Sequence, residues 1–163
     1  MRKFLLIFIT VIILMSCKSQ PVAVVPGIEI IDPEFEVTSI YIIQADIVVT
    51  EFEAVIKVTN PNDFAMELSS IAYELFGNSR FWAGGTAKNE KVIPANGSAE
   101  TRFRFTMNFI DMSRPLLDDV IAMRQVNYRF NGNARVQPDV KGVSAFDAKF
   151  DSTGLSEVKR RAD

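Results

Sequence analysis

The sequence predicts an all-β domain of about seven short strands with one helix, arranged as a sandwich or barrel, and three observations carry that expectation. Thr50 to Thr59 and Ala99 to Ile110 alternate apolar and polar residues with a period of two. Turn-forming clusters recur at Asn60-Pro61-Asn62, Gly77-Asn78, Pro94-Ala95-Asn96-Gly97 and Asn131-Gly132-Asn133. Ser113 to Gln125 alone changes to helical spacing, with Leu116, Leu117, Val120, Ile121 and Met123 on one stripe. At 163 residues, 48% hydrophobic and 23% charged, the chain has the make-up of one ordinary globular domain.

The N-terminus reads as a targeting signal. Arg2 and Lys3 precede an apolar run from Phe4 to Met15 whose only polar member is Thr10. A bilayer-crossing helix needs about 20 apolar residues, so this run is too short for one. Leu14-Met15-Ser16-Cys17 follows directly and resembles the bacterial lipobox, with Met15 larger than the residue usual at its position. Cleavage is expected between Ser16 and Cys17, with residues 1–16 as the signal peptide. Cys17 then carries the fatty-acyl chains, palmitate among them, and each buried methylene contributes about 0.8 kcal/mol to membrane anchoring. Lys18-Ser19 follows the cysteine without an aspartate. In an envelope with two membranes this is similar to lipoproteins sent to the periplasmic side of the outer membrane.

Residues 17–33 form the expected tether, since Pro21, Pro26, Pro33 and Gly27 favour extended chain, although Val22 to Val25 and Ile28 to Ile31 are apolar enough to lie against the domain. The domain proper is assigned to 34–155. Its strands are expected at Glu36 to Ile43, Thr50 to Thr59, Ser70 to Phe76, Arg80 to Gly84, Ala99 to Ile110, Tyr128 to Val136 and Val143 to Phe150. Phe52, Ala54, Ile56 and Val58 face inward in the second, and Phe103, Phe105, Met107 and Phe109 in the fifth. Asn131-Gly132 either turns the chain or bulges one long strand. In Ser113 to Gln125, Ser113 is placed to cap and Pro115 sits in the first turn, so this helix is expected to close an open end of the fold. Residues 156–163, with Lys159-Arg160-Arg161, read as a flexible, solvated tail.

Composition excludes much chemistry. The chain has no histidine, and Cys17 is its single cysteine. The common zinc, haem and iron-sulfur ligand sets, His-based triads and an internal disulfide are therefore ruled out. Net charge is −2, from 18 Lys+Arg against 20 Asp+Glu, and it becomes −4 once Arg2 and Lys3 leave. That mild acidity argues against a nucleic-acid partner. Asp118 and Asp119 diverge by about 100° on a helix and suit a solvated face. Glu51 and Glu53 share a strand face and read as solvent contacts. Gly84-Gly85-Thr86 lacks phosphate-loop spacing and reads as a loop or bulge. Asp139, Asp147 and Asp151 lack calcium-loop spacing. No catalytic residue, cofactor or metal is expected, and the protein reads as no enzyme. Phe81 and Trp82 remain as a candidate binding edge, weighed against ordinary core packing.

From Val58 onward a family resemblance builds. The strand ending in Asn60-Pro61-Asn62 is followed by Met66-Glu67-Leu68, then Ile71-Ala72-Tyr73-Glu74-Leu75, a glycine at 84, and Ile93-Pro94-Ala95-Asn96-Gly97-Ser98. That order, across about residues 35 to 110, resembles the water-stress and hypersensitive-response (WHy) domain of the late embryogenesis abundant type 2 family. The resemblance implies a fibronectin type III-like or immunoglobulin-like β-sandwich of about seven strands, and a role in tolerance of desiccation or related stress. Physically, Pro61 ends the strand ladder while Asn60 and Asn62 satisfy backbone groups in Asx turns, so the motif is expected to be structural. The expected partners are the membrane, through acylated Cys17, and an envelope protein or membrane surface. Two roles follow: a protectant under water stress, or a constitutive adaptor that docks an envelope partner by a sheet edge or loop patch.

Overall fold

A computed structural model describes residues 28–45, 49–108, 122 and 125–161. Seven strands follow in chain order: β1 Glu34–Ala45, β2 Val49–Thr59, β3 Met66–Gly77, β4 Arg80–Ile93, β5 Ser98–Asn108, β6 Gln125–Pro138 and β7 Phe146–Arg160. Each contains most of the segment expected from sequence. The helical segment at Ser113 to Gln125 lies outside the described residues except for Ala122, in a turn, and Gln125, which opens β6.

The strands join in the order β4-β3-β6-β7-β1-β2-β5. All neighbours are antiparallel except β1 and β7, which run parallel over the short register Ser39↔Glu157 to Ile42↔Arg160. Strands far apart in this order nevertheless meet. Tyr73 of β3 lies 4.2 Å from Phe103 of β5, and Phe52 of β2 lies 6.3 Å from Trp82 of β4, centroid to centroid. The sheet therefore curls until its two edges approach, giving a nearly closed, barrel-like all-β structure. The strands of the expected two-layer fold are hydrogen-bonded into one continuous sheet.

Alternation decides what fills the interior. In β6 the buried positions Val126, Tyr128, Phe130, Ala134 and Val136 are spaced by even numbers of residues, as the pleat requires. Phenylalanines stack through the centre: Phe35 on Phe150 at 4.3 Å, Phe150 on Phe130 at 4.8 Å, Phe130 on Phe103 at 5.8 Å. Such offset pairs add about 0.5–1.5 kcal/mol beyond the burial of their area.

Three local expectations change. Asn131-Gly132 neither turns nor bulges the chain, because β6 keeps register with β7 through Gly132↔Phe150. Glycine is required there by close approach: a Cβ would lie 2.0 Å from the Ala72 carbonyl oxygen. Gly84-Gly85-Thr86 is paired strand, opposite Glu74, Tyr73 and Ala72. The segment expected as a flexible tail from 156 instead continues β7 to Arg160, with Val158 only 2% exposed.

Candidate functional site

The lipobox residues Ser16 and Cys17 lie outside the described residues. Description begins at Ile28, and the chain is already docked there: Ile30 is buried in the core, and Asn62 holds Ile31 by both backbone groups. The Ile31 N–H donates to Asn62 Oδ1 at 2.8 Å, and Asn62 Nδ2 donates to the Ile31 carbonyl at 2.7 Å. The carboxamide thus imitates a strand neighbour. Beside it, partial burial raises the Asp32 carboxyl above its ordinary pKa.

Asn60 ties the same pole together from inside. Its Oδ1 accepts from the Asn62 backbone N–H at 3.0 Å, an Asx turn, and from Asn62 Nδ2 at 2.9 Å. Its Nδ2 donates to the carbonyls of Phe64 at 2.7 Å and Pro94 at 3.2 Å. Backbone bonds from Asn60 N to Gly97 O and from Asn96 N to Asn62 O, both 2.8 Å, lace the β2–β3 turn to the β4–β5 turn. Both asparagines are buried, at 0% and 4% exposure, and Pro61 stands half-buried between them. All of these hydrogen bonds are internal to the chain, so the cluster fastens loops rather than presenting groups to a ligand.

At the β4 edge the expected pair splits. Register steps from Leu75↔Ala83 to Phe76↔Phe81, which leaves Trp82 as an extra residue in a bulge. The bulge turns Trp82 inward, 4% exposed, against Phe52 and across Gly77, where a Cβ would lie 2.1 Å from the indole. Trp82 is therefore core, a correction to its place in the candidate edge. Phe81 stays outside, 58% exposed, with its ring edge-on to Phe76 at 5.7 Å.

Glu53 also departs from expectation. It is buried rather than a solvent contact, and Arg161 Nη1 donates to both of its oxygens at 3.0 Å. Arg102 and Arg104 approach it at 3.7 Å, from the cross-strand positions that β5 offers to β2. A Glu-x-Glu strand facing an Arg-x-Arg strand was the available signal, readable only once register was known. Among the described residues, no group of three or more His, Cys, Asp or Glu is placed to hold a metal ion.

With this geometry in view, comparison with known proteins is decisive at one point: the model of the late embryogenesis abundant protein family matches residues 55–149, more than half of the chain. The chain belongs to the late embryogenesis abundant type 2 family. Among solved structures, this family member is similar to an Arabidopsis thaliana protein determined in solution. The match has a TM-score of 0.60 and 18% identity and covers 90% of this chain and 95% of the other. A structural-genomics X-ray structure, target SoR45, matches with a TM-score of 0.50 and 12% identity over 76% of this chain and 84% of its own. At such identities these likenesses concern the fold alone. No curated protein matches the chain in sequence. The matched interval takes in the Asn60-Pro61-Asn62 cluster, the buried Trp82 and the exposed Phe81 of this late embryogenesis abundant domain, and leaves out the lipobox and the end of β7.

Proposed function

We propose that this late embryogenesis abundant protein is a membrane-anchored lipoprotein with a non-catalytic, protective or binding role in the response to desiccation. The family match carries the reading, and the lipobox at Leu14 to Cys17 supports the location. After cleavage between Ser16 and Cys17 the acylated cysteine holds the chain in the cell envelope, on the periplasmic side of the outer membrane where two membranes exist. Residues 17–33 then serve as the tether, its last residues fastened by Asn62, to a domain that runs on through β7 to Arg160. The short parallel seam between β1 and β7 divides the sheet into an antiparallel quartet and trio. That division supports a fibronectin type III-like or immunoglobulin-like layering within the curled sheet.

The test compares drying survival of a deletion strain complemented with the wild-type chain or with Cys17→Ala. Wild type is expected to restore survival and Cys17→Ala to restore less. Equal survival of the deletion and parent strains under drying and osmotic stress would overturn the protective role, and full rescue by Cys17→Ala would overturn the need for the anchor. A second reading, the constitutive envelope adaptor, is favoured by one observation: edge strand β4 carries Phe81 exposed at 58%. In-cell crosslinking separates the two. A single dominant, stoichiometric partner supports the adaptor, and diffuse labelling supports the protectant.

A further inference from the structure

A hollow of about 760 Å³ opens where β3, β6 and β7 lie side by side, away from the asparagine cluster and from the Glu53 group. Register places its lining in rows: Phe76 is opposite Arg129, Arg129 opposite Thr153, and Asn127 opposite Leu155, while Ser79 of the β3–β4 hairpin forms a rim. Tyr128 and Gly154 complete its lining, and beside the Tyr128 ring its walls are apolar at two points. Phe76 is half-buried and fixed by the edge-on Phe81 ring, and Leu155 is 62% exposed. Its charge is already neutralised. Arg129 Nε and Nη2 donate to the two oxygens of Asp151 at 2.9 and 2.7 Å, so the guanidinium fork is engaged with a carboxylate of the protein.

These features narrow the ligand. An anion would have to displace Asp151 from its bidentate pair, and a cation would meet the guanidinium. A purely apolar molecule would strip water from Asn127, Thr153, Ser79 and the ion pair without replacing those hydrogen bonds. What remains is a neutral molecule with apolar faces and a girdle of hydroxyls. We propose that this hollow is a binding site for a neutral saccharide of one or two rings, with a C–H face against Phe76 and Leu155 and hydroxyls toward Arg129, Asn127, Thr153 and Ser79. The volume lies within the range of about 300–1,000 Å³ usual for small-molecule sites. The inference goes beyond the anchored, protective reading, and either can fail without the other because binding is read without reference to drying.

The experiment places the full chain in phospholipid nanodiscs and records saturation-transfer NMR with maltose and with N,N′-diacetylchitobiose. Transfer to the ring C–H protons of at least one sugar is expected. Arg129→Ala and Leu155→Ser should each weaken binding by about tenfold, a loss of one good contact, with thermal midpoints unchanged. Thr153→Val, nearly isosteric, replaces either variant should it fail to fold. No transfer from either sugar at about 10 mM overturns the site, as does transfer that the variants leave undiminished. Octyl glucoside tests the other occupant: transfer to its octyl chain above that seen with empty nanodiscs, stronger than to its sugar ring and lowered by Leu155→Ser, would assign the hollow to an amphiphile and overturn the saccharide.

Discussion

Asn62 joins two parts of the chain that lie 31 residues apart, and its carboxamide serves both backbone groups of Ile31 while also reaching Asn60. Removing it takes one of two bonds from the buried Oδ1 of Asn60 and both from the backbone of Ile31, a residue 52% exposed whose freed groups water meets in part. A buried group left unsatisfied costs about 1–3 kcal/mol, so Asn62→Ala should lower unfolding stability by about 2–3 kcal/mol, read from the urea midpoint at unchanged slope. A loss under about 0.5 kcal/mol, the size expected of a surface change, would contradict the clamp. The sequence showed half of this. Asn-Pro-Asn announces an Asx turn because that chemistry is local, whereas the pairing with Ile31 is decided by tertiary approach. The Asn78-Ser79 turn offers the opposite sign. Both residues have positive φ, 49° and 63°, the geometry of a two-residue type I′ hairpin, and serine pays a steric penalty there that glycine does not. Ser79→Gly should therefore stabilise the fold by about 0.5–1 kcal/mol, measured in the same way.

At the scale of elements, strand cores were legible and strand ends were not. Alternation located β2 and β5 almost to their limits because apolar residues mark every second position, Phe52 to Val58 in one and Phe103 to Met107 in the other. In β4 the glycines at 84 and 85 carry no side chains to register the pleat, and the bulge at Trp82 breaks the period just before them. In β7 the inward positions after Phe150 are Ser152, Gly154 and Ser156, too polar or small to read as a core face, although apolar burial resumes at Val158. That last stretch of alternation matters because β7 pairs with β1 as a strand between Glu157 and Arg160. Val158→Asp would put an unpaired carboxylate into this seam, where a buried charge without a partner costs about 3–5 kcal/mol. That is a large share of the stability of a domain holding about 5–15 kcal/mol in all. Glu157→Gln, one residue away and outward, should leave the thermal midpoint nearly unchanged, since the Lys159 pair it removes is solvent-exposed. Equal losses from both substitutions would mean that the seam is not where the sheet is held.

For the whole molecule, alternation tells which side chains face inward but not which strands become neighbours, so the sequence supported sandwich and barrel alike. The join that decides the matter, β1 beside β7 in parallel, has no local signature. Nor does the approach of the two sheet edges, which is made by rings: Tyr73 with Phe103 and Trp82 with Phe52. Trp82 is the chain's single tryptophan, and it sits in the β4 bulge against a strand five places away in the sheet order. Its fluorescence therefore reports closure of the sheet, while far-UV circular dichroism reports the ladders throughout. If curling and strand pairing form one cooperative unit around the shared phenylalanine core, the two signals should change together in urea with the same midpoint and slope. Phe52→Ala, which removes the ring facing Trp82 and leaves a cavity, should lower both midpoints by an equal amount, at a cost of about 3–5 kcal/mol. Should the tryptophan signal move at lower urea than the dichroism, the β4 edge peels away from β2 before the sheet unfolds. The interior would then be two layers loosely apposed rather than one closed core, and the edge carrying Phe81 would become the first surface a partner strand could reach.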